Sequence, residues 1–401
     1  MTPRRAVALT LLVVASALVT GCTGTPGPPD DAVAATRSPE VRSLPTPDPS
    51  PEGAPLVSGG GQDGGSDAGT GDDDRDDDRD RDEGGTSSLS APSPMPDWMT
   101  APVPERGLCP AATVRVADAE QLQAALDDAG PGTVIGLEPG VYEGEFATSS
   151  SGSADRPARL CGPADAVLDG DDQRGGYVLH LDGAQHWVLA GFTVRNGQKG
   201  VMADGTTGTT ISGLTVYGIG DEAIHLRGHS TDNLVAANTI SDTGRRKPKF
   251  GEGVYIGTAT SNWCDVTDCR PDRSDGNRVV GNVIYATTAE AVDLKEGTTG
   301  GVVEGNQFDG SGLVEADSWL DAKGNDWRIV GNEGRRTPLD GFQTHDVEDG
   351  WGTGNVFAGN TGSLDDDEGF LVALRPVNEN VVECSNRVTG GTGELSNVDC
   401  R

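Results

Sequence analysis

Aromatic residues make up only 4% of the 401-residue chain, against 59 glycines. So few large rings cannot fill the thick core of a globular domain of this length. A thin core of Val, Ile, Leu and Ala needs none of them. Long apolar runs are equally scarce, for after Val19 no stretch approaches the ~20 apolar residues of a membrane span. Positive charge is also short, with 30 Lys and Arg against 63 Asp and Glu and a net charge of −33. Residues 106–401 alone hold 45 acids and 23 basic residues, a balance of roughly −22. That balance excludes nucleic acid as a partner, because phosphate binding needs a basic face. Any polyanionic ligand must therefore meet a local exception to the global charge.

What the chain does contain begins with an address. Arg4 and Arg5 precede an apolar run from Ala6 to Val19, which closes on Val19-Thr20-Gly21-Cys22. This resembles the lipobox of bacterial lipoproteins. The resemblance implies a signal peptide over 1–21, acylation of Cys22, and a location on the extracellular face of the bacterial cell membrane. The lipid would be the only membrane contact. Residues 22–105 are rich in Pro, Gly, Ser and Asp, with a run of acids from Asp72 to Glu83 broken by Arg75, Arg79 and Arg81. Such a segment buries too little apolar surface to offset its ordering entropy, so a solvated tether is expected.

The remaining residues, 106–401, suffice for one large domain, expected as a monomer. After Cys22 the chain has six cysteines, an even number that suits disulfides in an exported protein. Six cysteines allow 15 pairings. Proximity along the chain favours Cys109 with Cys161, Cys264 with Cys269 and Cys384 with Cys400. The middle pair lacks a nearby His, which argues against zinc.

The domain opens with a helix signal, Asp118 followed by Gln121, with Leu122, Ala125 and Leu126 on one face and Gly130-Pro131 as the stop. From Tyr177 onward a two-strand unit recurs. Its second strands end at Ala237-Asn238, Gly281-Asn282, Gly305-Asn306, Gly331-Asn332 and Gly359-Asn360, spaced 44, 24, 26 and 28 residues apart. Repeated strands without intervening helices specify a solenoid in which each coil buries its face on the next. The asparagines are structural: Asn accepts a left-handed turn, and stacked amides can bond along the axis. Pro139-Gly140-Val141-Tyr142 and Leu168-Asp169-Gly170 resemble the first coils of the pectin-lyase-like superfamily. The fold class is thus all-β, a single right-handed parallel β-helix with an N-terminal capping helix.

Residues two apart in a strand share a face. The first strands of successive coils align as Ala223–Arg227, Gly253–Gly257, Ala291–Lys295, Trp319–Lys323, Gly341–His345 and Gly369–Ala373. Ile224, Val254, Val292, Leu320 and Phe342 then form an inward column. One outward column holds His225, Tyr255, Asp293, Asp321 and Gln343. The next holds Arg227, Gly257, Lys295, Lys323 and His345. Glu222, Glu252, Glu290, Asp340 and Glu368 form a carboxylate column just before the strands. A merely solvated face would carry Thr, Ser and Asn instead.

These residue types suit β-elimination on a uronic-acid polysaccharide. The reaction needs the substrate carboxylate neutralised, a base for the C5 proton and an acid for the leaving oxygen. A calcium ion held by acids can do the first, and a lysine with a lowered pKa the second. The basic stretch from Arg245, Arg246 and Lys247 to Lys249 lies before Glu252 and could guide an acidic chain. Hydrolysis would instead use paired carboxylates, which Asp293 and Asp321 could supply.

The segment Glu290-Ala291-Val292-Asp293-Leu294-Lys295 resembles the calcium-ligand and catalytic-lysine strand of the chondroitinase B and alginate lyase type of β-helix lyase. The resemblance implies Glu290 and, one coil earlier, Glu252 as calcium ligands. Lys323 stands where that family carries an arginine, and Thr288 replaces a second acidic ligand. Lys295, Lys323, Asp293, Asp321 and His345 are therefore the catalytic candidates. Arg227, His225, Tyr255, Arg245, Arg246 and Gln343 are the candidates for substrate binding. The competing reading is a non-catalytic carbohydrate-binding surface protein in which Trp263, Trp327 and Trp351 stack on sugars and the Asp–Lys ladder is only a set of surface salt bridges.

Overall fold

The computed structural model describes residues 88–401 apart from Asp367. The expected signal peptide, Cys22 and the acidic run lie outside the described residues. Each coil contributes one strand in turn to three parallel sheets of 11, 10 and 10 strands. The expected right-handed parallel β-helix is the architecture found. The predicted inward column is paired in register, with Ile224 beside Val254, Val292 beside Leu320 and Leu320 beside Phe342. All five members of the column are fully buried. Burial of each such side chain stabilises the coil by ~1.5–3 kcal/mol, so core strength accumulates coil by coil.

The later coils bury aromatics, among them Trp319, Phe342 and Phe357. Trp319 packs edge-on against Phe342 with ring centroids 5.7 Å apart. Gly334 and Gly341 make room for its ring, because a Cβ at either would lie 2.3 or 2.6 Å from indole carbons. At the open end the helix Ala119–Asp127 lays Leu122 and Leu126 over the first coil. Its cap is the predicted one, with Asp118 Oδ1 accepting from the Gln121 amide at 2.9 Å. All three expected disulfides form: Cys109–Cys161, Cys264–Cys269 and Cys384–Cys400.

The asparagine ladder is continuous. Asn238 donates from Nδ2 to Asn282 Oδ1 at 3.0 Å, and the pattern repeats through Asn306, Asn332 and Asn360 to Asn386. One detail differs from expectation. The left-handed position belongs to the residue before each Asn, namely Ala237, Gly281, Gly305, Gly331 and Gly359. The Asn is freed to spend its amide on the stack.

Part of the segment expected to be a solvated tether is ordered: Ser88–Thr100 is strapped along the solenoid. Leu89 N donates to Asn196 Oδ1, Ser93 N to Asp242 Oδ2, and Trp98 Nε1 to Asp309 Oδ2, at 2.8, 2.8 and 2.7 Å. Met99 packs with Val283 and Tyr285. The strap needs no core of its own; it borrows hydrogen bonds and apolar contacts from successive coils.

Candidate active site

The candidate residues lie on the sheet whose central strands are Ile224–Arg227, Val254–Ile256, Val292–Leu294, Ser318–Ala322 and Asp340–His345. The first outward column is in the predicted register: His225 opposes Tyr255, Tyr255 opposes Asp293, Asp293 opposes Asp321, and Asp321 opposes Gln343. The last coil departs from the expected alignment. Phe342 pairs with Val372 and Gln343 with Ala373, so Phe370 and not Glu368 follows Asp340, and Glu368 is exposed. The slip arises because Gly369, taken as the equivalent of Gly341, stands two positions earlier than it.

Asp293 is the centre. Lys295 Nζ lies 2.9 Å from its Oδ2, and Lys323 Nζ, from the adjacent coil, lies 3.1 Å from the same oxygen. Lys323 also reaches Asp321 Oδ2 at 3.2 Å, and Asp321 Oδ2 bonds His345 Nδ1 at 2.8 Å. These ion pairs are not the surface ladder of the bland reading, for Asp293 and Lys295 are each only 1% exposed and Lys323 8%. The ring of Tyr255 lies 4.9 Å from Lys295 Nζ, and that of His225 packs 4.4 Å from Tyr255. Gly257 (φ +94°) leaves the column open beside Lys295, since a Cβ there would meet Lys295 Cβ at 3.2 Å.

Strand alternation would put Glu290 and Asp293 on opposite faces, because they are three residues apart. The bend that precedes the strand overrides it. One carboxylate oxygen from each of Glu252, Glu290 and Asp293 gathers within 4.8 Å. Burial, then the charge of Asp293, pushes Glu290 up to about 7. Burial and then Glu222 push Glu252 well above the usual carboxylate range. Glu252 Oε2 is buried with no hydrogen-bond partner. A largely buried all-oxygen cluster, with one Glu252 oxygen lacking a hydrogen-bond partner, fits a hard cation such as calcium.

The electrostatics single out Lys323. Burial alone would lower Lys323, but Asp293 and Asp321 outweigh it and hold the ammonium well above its ordinary pKa. Lys323 is thus a fixed cation, as suits a position where the resembling lyases carry an arginine. Asp321 is held below its usual range, because Lys323 and His345 outweigh its burial. Asp321 in turn raises His345. His225 is driven well below 6.5 by burial and then by Lys199 and Arg227, which keeps it neutral.

The other binding candidates are more dispersed. Arg227 is two coils below Asp293 and donates from Nε to Asp204 Oδ1 at 2.7 Å. Gln343 is buried and donates to Asp317 and Asp340 at 2.8 and 3.1 Å. Arg246 donates from Nε to Asp221 Oδ1 at 3.0 Å, and Arg245 beside it bonds through its backbone to Ile219 O at 3.1 Å. The tryptophan platform does not form as expected. Trp327 is fully buried and Trp263 nearly so, with their indole N–H groups tied to Thr298 Oγ1 and Thr258 O at 3.2 and 2.9 Å. Only Trp351 of the three keeps partial exposure.

Two residues escaped the sequence reading. Lys199 bonds Glu222 Oε1 at 2.9 Å, and extending the strand alignment one coil back would have found it. Glu296, beside Lys295, is raised by burial and accepts from the Thr260 amide at 2.5 Å. Its signal was only adjacency.

Residues 175–333 match the family described as "Right handed beta helix region". A solved alginate lyase from Paenibacillus sp. str. FPU-7 is 34% identical, with a TM-score of 0.66 over 71% of this chain and 99% of its own. The solved pectate lyase Pel9A shares 17% identity and a TM-score of 0.50, over 67% of this chain and 72% of its own, a likeness of fold. No curated protein matches the chain. With a third of its residues identical across essentially the whole Paenibacillus enzyme, the chain belongs to the same family of right-handed parallel β-helix proteins, of pectin-lyase-like fold.

Proposed function

We propose that this protein is a polysaccharide lyase that cleaves a uronic-acid polymer by β-elimination. The observation that carries the reading is the convergence of Lys295 and Lys323 from adjacent coils on Asp293, beside Glu252 and Glu290. The similarity to a protein named an alginate lyase makes alginate the first polymer to test.

In this reading Lys295 leaves its ion pair with Asp293 as substrate binds, gives up one proton to solvent, and as a neutral amine takes the C5 proton. Lys323, held protonated, places a permanent positive charge beside the substrate carboxylate and the carbanion that develops next to it. Tyr255, whose ring lies 4.9 Å from Lys295 Nζ, would supply the proton for the leaving oxygen. Glu252, Glu290 and Asp293 would hold calcium, which when bound neutralises the uronate carboxylate and acidifies the C5 proton. Hydrolysis through Asp293 and Asp321 is disfavoured, because one of the pair would have to act as an acid and Asp321 is held ionised. The adhesion reading loses support with the burial of Trp263 and Trp327.

The lipobox-like Val19-Thr20-Gly21-Cys22 supports a lipid anchor at the cell surface. A Cys22→Ser chain should then leave the membrane fraction, and its retention there counts against the anchor. The activity test is incubation with alginate, chondroitin, dermatan and pectate, with and without calcium, following the absorbance of unsaturated uronides. Product that vanishes in Lys295→Ala is the expected result. Binding without product, unchanged by that substitution, overturns the lyase.

A further inference from the structure

We propose that His225 is a positioning residue, which braces the Tyr255 ring beside Lys295 from the preceding coil. The catalytic consequence rests on the lyase reading; the brace itself does not.

Strand pairing sets the order of the column. His225 opposes Tyr255, and Tyr255 opposes Asp293, so Tyr255 stands between the coil of His225 and the coil of Lys295. The His225 and Tyr255 rings meet edge to face with centroids 4.4 Å apart. On the next coil Lys295 Nζ lies 4.9 Å from the Tyr255 ring. Ring pairs prefer such edge-on contacts to flat stacking, so the histidine sets where the tyrosine ring stands.

One hydrogen bond holds the brace in place. His225 Nε2 lies 2.9 Å from Gly257 O, and a carbonyl only accepts, so Nε2 carries the proton. Gly257 directly follows Val254–Ile256, the strand that bears Tyr255. Its backbone also packs against Lys295, whose Cβ would lie 3.2 Å from a Cβ at Gly257. The His225 ring is therefore pinned to the same backbone on which the candidate base rests.

Packing alone does not account for a histidine here. Nδ1 is buried without a hydrogen-bond partner. It lies 3.6 Å from Glu222 Oε1, an oxygen already held by Lys199 Nζ at 2.9 Å. A buried acceptor left unsatisfied is costly, and Phe or Leu would fill the space without one. What histidine offers beyond them is a ring edge and an N–H together. The N–H is spent on Gly257, so no donor of His225 is left for substrate.

The test is a double-substitution cycle with alginate and calcium. His225→Gln fills the space and can still donate to Gly257 O, but it has no ring. It should lower kcat by ~10-fold or more, since a shift of ~1 Å can cost ~10²-fold, while KM stays within about two-fold. In the Tyr255→Phe background the same substitution should cost less than about two-fold, because the hydroxyl it places is gone. His225→Phe, which keeps a ring without the N–H, carries the same measurements if His225→Gln does not fold. Equal losses in both backgrounds, or a kcat within about two-fold of the parent, overturn the positioning role. A crystal structure of the substituted protein should show the Tyr255 ring displaced from Lys295. A ring that keeps its place sinks the brace whether or not the protein is a lyase. Unsaturated product absent from the parent chain counts against the lyase alone.

Discussion

Lys323 reaches back one coil to Asp293, its Nζ 3.1 Å from Oδ2 and 3.2 Å from Oδ1, although its own strand offers Asp321. Asp293 thereby serves both ammoniums at once, at the junction of two coils.

Asp293→Asn should therefore be costly. It leaves two buried ammoniums without their shared counter-charge, a loss of ~3–5 kcal/mol. Urea unfolding measures it, and a loss under ~1 kcal/mol means the ion pairs are not buried as described. The conservative change keeps the shape, so the effect isolates charge.

If Lys295 is the base, Lys295→Ala should lower the rate of product formation by ~10²–10⁴-fold. Lys323→Gln should also slow the reaction, and Lys323→Arg, which keeps the charge, should recover part of it. Steady-state rates on alginate decide the point. Equal losses in Lys323→Gln and Lys323→Arg would show that shape, not charge, is what Lys323 supplies.

Calcium added to EDTA-treated protein should raise the unfolding temperature, by an amount equivalent to ~2.7 kcal/mol when calcium is at 100 times its dissociation constant. Magnesium should do less, because it demands near-ideal octahedral geometry. The double variant Glu252→Gln, Glu290→Gln should lose the calcium shift. A shift that survives the double substitution locates calcium elsewhere.

Asp321 raises His345 above its ordinary pKa. Since the folded value exceeds the unfolded ~6.5, the pair contributes fully below about pH 6.5. The contribution then fades as pH climbs through the folded value. Asp321→Asn should bring the histidine titration back toward the ordinary range, read from the ring proton shifts by NMR. An unchanged titration would falsify the pairing.

Asn306→Ala should break the ladder at its middle. Asn306 Oδ1 accepts from both the backbone N and the Nδ2 of Asn282, at 2.8 and 2.9 Å. Each buried group left unsatisfied costs ~1–3 kcal/mol. A clear fall in the urea midpoint is expected, with proteolysis beginning near the coils that join there.

Much of the site was legible because a parallel solenoid converts sequence spacing into neighbourhood. Aligning Glu290–Lys295 with Leu320–Lys323 is enough to put Lys295 and Lys323 side by side on adjacent coils. Where coil length drifted, as at Gly369, the same alignment slipped by two and misplaced Glu368. Composition misjudged Ser88–Thr100 for a related reason, since a strap stabilised by another segment's surface carries no core signal of its own. The buried state of Trp327 was invisible because a turn residue can fold inward or outward with the same neighbours in sequence.

The repeat of short β-runs, the Gly-Asn corners and the scarcity of aromatics were enough to specify a thin-cored parallel solenoid, because each is a local requirement that every coil must meet. The partner of Lys323, the high pKa of that lysine, and the gathering of Glu252 and Glu290 around Asp293 were decided only in three dimensions. They depend on burial and on the bend before each strand, and both are properties of stacked coils that no single strand contains.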